Sequence, residues 1–241
     1  MSFDIISDAY DGVYPRDFRK VPFVEKLLKK HKCKSILEIG SGSGIFTVPL
    51  AKHGFKIEGI EISREMIKVS HKKFPKLKVH KADMRNFRLT KKFDAVIAPS
   101  SVLVIAKNYR EIKNCLKCIS AHTKRGGIFM AELPNHPVEI RKSNGKTSIF
   151  FSKGKKTCVI IRSEKTKKYW REHWYIIRKK NGKIRLDYAS YDELIYSPAK
   201  IEYEIKKAGF GIIERYGDLF GTKFDKNKSW RRVLICQKIN S

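Results

Sequence analysis

One run constrains this chain more than any other: Ile36-Leu37-Glu38-Ile39-Gly40-Ser41-Gly42-Ser43-Gly44-Ile45-Phe46. Residues 36–39 read as a buried strand. Three alternating glycines follow, and a helical pattern starts at Gly44. Glycine lets the backbone turn sharply and lets a ligand approach where a Cβ would stand in the way. A strand that enters a glycine bend and then a helix is the opening of an α/β sheet that cradles a nucleotide. The run therefore predicts a nucleotide-like cofactor.

The rest of the chain supplies the strands and helices that such a sheet needs. Residues 19–30 place Val21, Val24, Leu27 and Leu28 on one helical face. Ahead of them, residues 8–17 set aromatics beside Gly12 and Pro15, the mark of a loop or lid. After the glycine run, strands are predicted at 56–60, 77–80, 93–98 and 128–133. Helices are predicted between them, at 64–74 with Ser63 as N-cap and from about Asn108. Strands that alternate with helices form βαβ units and a parallel sheet. Residues 139–197 break this rhythm. Segments 147–151, 156–162, 169–178 and 184–195 are β-rich and are separated by Lys153-Gly154 and Asn181-Gly182, a hairpin signal. A helix at Ser197-Pro198 and strands at 211–216 and 233–237 then return to the first pattern. The expected division is residues 1–138, an inserted antiparallel subdomain at 139–197, and residues 198–241.

Composition narrows the class. A hydrophobic share of 41% supports an ordinary core for 241 residues. No apolar run is long enough to span a membrane. The opening Met-Ser-Phe-Asp lacks the basic-then-apolar pattern of a secretory leader. The 5 cysteines have no framework spacing, which fits reduced thiols, so the expected location is cytoplasmic. Cys115 and Cys118 form a lone CxxC inside a helical pattern, which reads as core packing, and no metal site is expected. The net charge of +29 is spread out: +14 over residues 1–138, +10 over 139–197 and +5 over 198–241. Such a spread suits either RNA contact through the basic insert or a lysine-rich composition with no such role.

Two cofactors compete for the glycine bend. A dinucleotide site wants G-x-G-x-x-G, and here position 45 is Ile. Glu61 ends the second strand, where a carboxylate accepts both ribose hydroxyls of either cofactor. Asp83, past the third strand, adds a contact for an adenine amine that a dinucleotide site does not demand. The runs Glu38–Gly44, Gly59–Ser63, Lys81–Arg85, Phe93–Val96 and Arg125–Gly127 occur in the order and spacing of one family. In them the chain resembles the class I S-adenosylmethionine-dependent methyltransferases. The resemblance implies a Rossmann-like methyltransferase fold: a mostly parallel seven-stranded sheet with an antiparallel final strand, here with a small antiparallel β insert. It implies that Gly40, Ser41, Gly42 and Gly44 line the methionine and ribose part of S-adenosyl-L-methionine. Glu61 would hold the ribose, Ile62 would pack on adenine, and Asp83 and Met84 would recognise its edge. Pro99 and Ser100 would lie near the sulfonium, with Tyr14 and Arg19 also on the cofactor. Glu38 would either bind the methionine amine or orient the glycine bend.

The acceptor is less constrained. The strand-four exit reads Ala98-Pro99-Ser100-Ser101, without the Asn/Asp-Pro-Pro-aromatic pattern of enzymes that methylate planar amines. No cysteine sits where carbon-5 pyrimidine methylation needs a nucleophile. Tyr10-Asp11, Arg16-Asp17-Phe18 and Ser100-Ser101 are similar to a branch that includes amino-sugar N-methyltransferases, although the histidine common past its paired serines is replaced by Val102-Leu103-Val104-Ile105. The expected activity is methyl transfer to N or O of a small-molecule acceptor. The alternative is an RNA or protein methyltransferase that docks its substrate on the insert. His136 is the candidate base, read as a loop residue at the crevice edge. Tyr10 is a second catalytic candidate, and Tyr10 and Tyr14 are also candidate substrate-side walls. Trp170, Trp174 and Tyr175 are read as the core of the insert.

Overall fold

A computed structural model of the chain describes residues 2–14, 17–151 and 156–239. Its first elements are the short helices α1 (Ser2–Ile6) and α2 (Tyr10–Val13), a 3-10 turn over Asp17–Lys20, and α3 (Val21–Lys30). The predicted face of α3 is the buried one: Val21, Val24, Leu27 and Leu28. Each such side chain contributes about 1.5–3 kcal/mol when taken fully from water. The loop or lid expected at residues 8–17 contains α2 among its described residues.

The alternating part of the chain then follows in order: β1 (Ser35–Ile39), α4 (Thr47–Lys52), β2 (Lys56–Glu61), α5 (Arg64–Lys73), β3 (Lys78–Lys81), β4 (Phe93–Ala98), α6 (Tyr109–His122) and β5 (Thr123–Pro134). Ser63 caps α5 by accepting from the Met66 N–H, and Asn108 caps α6 by accepting from the Glu111 N–H. Strand β5 is longer than the predicted 128–133. It pairs with β4 through a register shift at Phe93/Ala95, and Gly126, at φ +71°, carries the chain through the irregular stretch. Cys115 is buried and Cys118 half-buried on α6, one turn apart, as core packing requires.

After α7 (His136–Ser143) come β6 (Thr147–Phe151), β7 (Thr157–Lys165), β8 (Tyr169–Lys180) and β9 (Lys183–Leu194), which form a separate four-stranded antiparallel sheet. Asn181 and Gly182 both have positive φ, 51° and 75°, and close the β8–β9 hairpin as a two-residue turn. The Lys153-Gly154 turn lies outside the described residues. One face of this sheet is apolar and buried. Val159, Ile161, Trp174, Ile176 and Ala189 pack against Ile6, Ala9 and Val13 of the N-terminal helices. Trp170 and Trp174 are fully buried, as expected of the insert's core, whereas Tyr175 is exposed on the opposite face.

The chain finishes with α8 (Pro198–Lys207), β10 (Phe210–Tyr216) and β11 (Arg231–Lys238). The main sheet has the order β10-β11-β5-β4-β1-β2-β3, and β11 is antiparallel to both of its neighbours. Strand order reverses between β1 and β4. In such a sheet ligands sit at the carboxyl ends of the strands beside that switch point.

Candidate active site

The bend after β1 turns on three left-handed glycines, Gly40 (φ +64°), Gly42 (φ +53°) and Gly44 (φ +84°). Gly40 is the most constrained. A Cβ there would overlap Val102 Cγ2, in the turn that follows β4. Close approach of these two strand exits therefore depends on a missing side chain. Gly59 on β2 plays the matching part from the other side, since a Cβ there would stand 2.7 Å from Ser41 Cβ.

Glu61, at the end of β2, ties the bend down. One carboxylate oxygen accepts from the Gly42 N–H at 2.8 Å, and the other accepts from the N–H groups of Ile62 and Ser63, each at 2.8 Å. Burial nevertheless raises its carboxyl group, and the three N–H donors work against that rise. Glu38, on β1, is buried more completely. Burial pushes it up to about 8, although it accepts from Thr47 Oγ1 at 2.6 Å. Asp83 is held below the usual carboxylate range chiefly by Arg85, whose Nε lies 2.9 and 3.0 Å from its two oxygens.

The exit of β4 is strained. Ser100 and Ser101 both take left-handed φ, 51° and 61°, a conformation that costs a residue with a Cβ about 1–2 kcal/mol. Glu132 of β5 holds that turn. It is fully buried, accepts from the Ser100 N–H at 2.7 Å and pairs with Lys20 Nζ at 3.2 Å.

These strand ends line a cavity of about 710 Å³. Glu38, Gly40, Ser41 and Gly42 contribute from the β1 side. Glu61, Ile62, Asp83 and Met84 contribute from β2 and the segment after β3, and Pro99 and Ser100 from the exit of β4. Tyr10 lines it from above, with Phe3 of α1. Three predicted cofactor residues and the candidate base do not line it. Gly44 sits below the bend, where a Cβ would stand 3.2 Å from Ser70 Cβ. Tyr14 lies behind the wall, its hydroxyl directed at Glu172 Oε2 (3.4 Å) and its ring against Tyr10 and Trp174. Arg19 is exposed, and it is the adjacent Lys20 that reaches inward to Glu132. His136 is the clearest correction. It opens α7 rather than a loop and is 2% exposed, with Nε2 3.1 Å from the Leu194 carbonyl and its ring edge-on to Tyr196. Pro137 stands at an early helical position, which a helix tolerates because the missing N–H has no intrahelical acceptor there. A ring held this way joins α7 to the end of β9 and does not face the cavity.

Residue type alone does not reveal one wall of the cavity. Tyr169, Tyr191 and Glu193, from β8 and β9, also line the cavity. The alternation of β9 puts Tyr191 and Glu193 on one face, cross-paired with Glu172 and Trp170. That alternation was the available signal; which body the face covers was not.

Residues 36–127 match the family model described as a methyltransferase domain. Among curated proteins, the chain is 28% identical over 133 residues to the dTDP-3-amino-3,6-dideoxy-alpha-D-glucopyranose N,N-dimethyltransferase of Streptomyces fradiae. That alignment covers 53% of this chain and 52% of the relative, so the chain spans about half the length of the curated relative it matches. Two solved structures share the fold along nearly the whole length. An S-adenosylmethionine-dependent methyltransferase from Clostridium acetobutylicum has a TM-score of 0.84 at 16% identity, covering 96% of this chain and 97% of that one. The SAM-bound amino pentose methyltransferase CalS10 from Micromonospora echinaspora has 0.76 at 19%, covering 96% and 95%. The resemblance drawn from the motifs is thereby borne out, as are the mostly parallel seven-stranded sheet and its antiparallel companion.

Proposed function

With a methyltransferase domain at residues 36–127 as the premise, we propose that this protein transfers a methyl group from S-adenosyl-L-methionine to nitrogen or oxygen of a small-molecule acceptor. The observation that carries the reading is the cavity at the switch point, with Glu61 and the glycine bend at one end and the strained exit of β4 at the other. Its volume falls in the roughly 300–1,000 Å³ range of small-molecule sites.

The residues present fit the cofactor. Ser41 Oγ is buried without a hydrogen-bond partner and belongs to a cavity-lining residue. A Cβ at Gly42 would meet only the Gly40 carbonyl, at 3.9 Å, so the bend leaves its backbone open to a ligand. Glu61 would take the ribose hydroxyls, Ile62 and Met84 the adenine faces, and Asp83 its amine. Glu38 would receive the methionine ammonium, and Pro99 and Ser100 would border the sulfur. When bound, the cofactor supplies an electrophilic methyl group. The protein's part is to hold a nucleophile in line with that methyl and to keep water away, an arrangement that can lower a barrier by about 7–11 kcal/mol. The helices α1 and α2 and the strands β8 and β9 contribute to the wall of the cavity. That wall supports a small acceptor over a docked RNA or protein. No helix of the described residues is long and apolar enough to cross a membrane. All five cysteines are unpaired, which supports a reducing, cytoplasmic setting.

Calorimetric titration with S-adenosyl-L-methionine and with S-adenosylhomocysteine tests the reading. Both are expected to bind, and Glu61→Ala is expected to weaken both at least tenfold, since hydrogen bonds to a charged group are worth about 1.5–3 kcal/mol each. Absence of binding by the wild type, or unchanged affinity in a folded Glu61→Ala, would overturn it.

A further inference from the structure

The chain carries a net charge of +29, yet one wall of the cavity carries Glu193, with three more acids close enough to act on it. Glu132 comes from β5, Glu139 from α7, Glu172 from β8 and Glu193 from β9. The cations set among them are Arg231 of β11, which donates to Glu139 Oε1 at 3.0 Å, and Lys20, which pairs with Glu132. His136 Nδ1 lies 3.4 Å from Glu139 Oε2.

Three of the four acids are spoken for. Glu132 also accepts from the Ser100 N–H. Glu139 has Arg231. Glu172 Oε2 accepts from Tyr191 at 2.6 Å, from Trp174 Nε1 at 3.1 Å and from Tyr14 at 3.4 Å. Glu193 differs: among the described residues its carboxyl group has no hydrogen-bond or ion-pair partner, and the residue lines the cavity. Its strand packs on the 3-10 turn Val102–Ile105, which directly follows the Pro99–Ser101 exit. A carboxyl group without a partner in the wall of a cavity is costly to ionise unless something cationic answers it.

We propose that Glu193 receives the acceptor: a small primary or secondary amine whose nitrogen seats, as an ammonium, on the Glu193 carboxylate beside the exit of β4. This rests on the methyltransferase reading above and assigns its acceptor-side residue. One proton is shared in the pair. The forms R–NH3+ with carboxylate and R–NH2 with carboxylic acid differ only in where that proton sits, and no other bond changes. Burial, with like charge from Glu139, Glu172 and Glu132, raises the Glu193 carboxyl group against the pull of Arg231. That narrows the gap between the two forms and makes the amine lone pair accessible without a histidine.

The test is a binding assay on full-length protein saturated with S-adenosylhomocysteine. Small aminohexoses, amino alcohols and alkylamines are titrated beside their hydroxyl analogues, against wild type, Glu193→Gln and Glu193→Asp. Glu193→Gln keeps the shape and removes the charge. At least one amine is expected to bind wild type about tenfold or more tighter than its hydroxyl partner, as a charge-assisted hydrogen bond allows. That preference is expected to vanish in Glu193→Gln and to return in part in Glu193→Asp, with affinity for S-adenosylhomocysteine constant throughout. If no amine is preferred, or the preference survives in Glu193→Gln, the assignment is overturned while the cofactor reading stands. If S-adenosylhomocysteine itself does not bind, both fall.

Discussion

Gly40→Ala offers a demanding check on how the site is built. Two separate costs are expected. An alanine at φ +64° pays about 1–2 kcal/mol for its left-handed backbone. Its Cβ would also overlap Val102 Cγ2 and stand 3.2 Å from Val102 Cβ, an overpacking of about 1–3 kcal/mol. The single variant should therefore lose about 2–5 kcal/mol of stability. Val102→Ala alone removes two methyl groups from a half-buried side chain and should cost about 1–2 kcal/mol. The double variant is the informative one, because Val102→Ala clears the overlap but leaves the backbone strain. Its loss should fall short of the sum of the singles by about 1–3 kcal/mol, where distant sites add to within about 0.5 kcal/mol. Urea unfolding followed by tryptophan fluorescence measures all three. Calorimetry with S-adenosylhomocysteine should run in parallel, weakest in Gly40→Ala and partly recovered in the double variant. Strict additivity would refute the claim that the bend after β1 and the turn after β4 are packed against each other.

Two further expectations concern carboxylates around the cavity. Glu38 is raised by burial to about 8, so it stays protonated in the folded, ligand-free protein over a range where the unfolded chain ionises near its ordinary 4.5. The folded state then holds more protons, and stability falls as pH rises from about 4.5 to about 8. Glu38→Gln should remove that slope and stabilise the ligand-free protein at pH 8, seen as a higher midpoint in thermal unfolding, while weakening S-adenosyl-L-methionine; a slope that persists in the variant contradicts the assignment. Asp11 of α2 contacts Ser43 Oγ and Lys73 Nζ, and so straps the N-terminal segment over the bend. Asp11→Ala should speed release of S-adenosylhomocysteine about tenfold in stopped flow, the effect expected of one lost charge-assisted hydrogen bond, with less difference between the proteins at high salt. Equal release rates would show that the strap does not gate the ligand.

Much of this architecture is written locally. The glycine bend, the caps Ser63 and Asn108, the Asn181-Gly182 turn and the ends of Phe93–Ala98 and Thr147–Phe151 follow from residue types a few positions apart, because left-handed backbone, capping and alternation are short-range effects. The positions of Glu61 and Asp83 were legible for the same reason, since a strand's end fixes where its next residue emerges. Nothing local distinguishes Arg19 from Lys20, or a solvated His136 from one sealed under β9. Nor does a basic, β-rich insert announce that Tyr191 and Glu193 will close the cavity. Those outcomes depend on how α1, α2 and the four-stranded sheet settle over the strand ends, through contacts between residues more than a hundred positions apart, such as Lys20 with Glu132 and Tyr14 with Glu172. Sequence alone determined the sheet and its glycine bend; the packing of one layer on another decided which side chains face the cavity, because exposure to a cavity belongs to a pair of surfaces and not to either chain segment by itself.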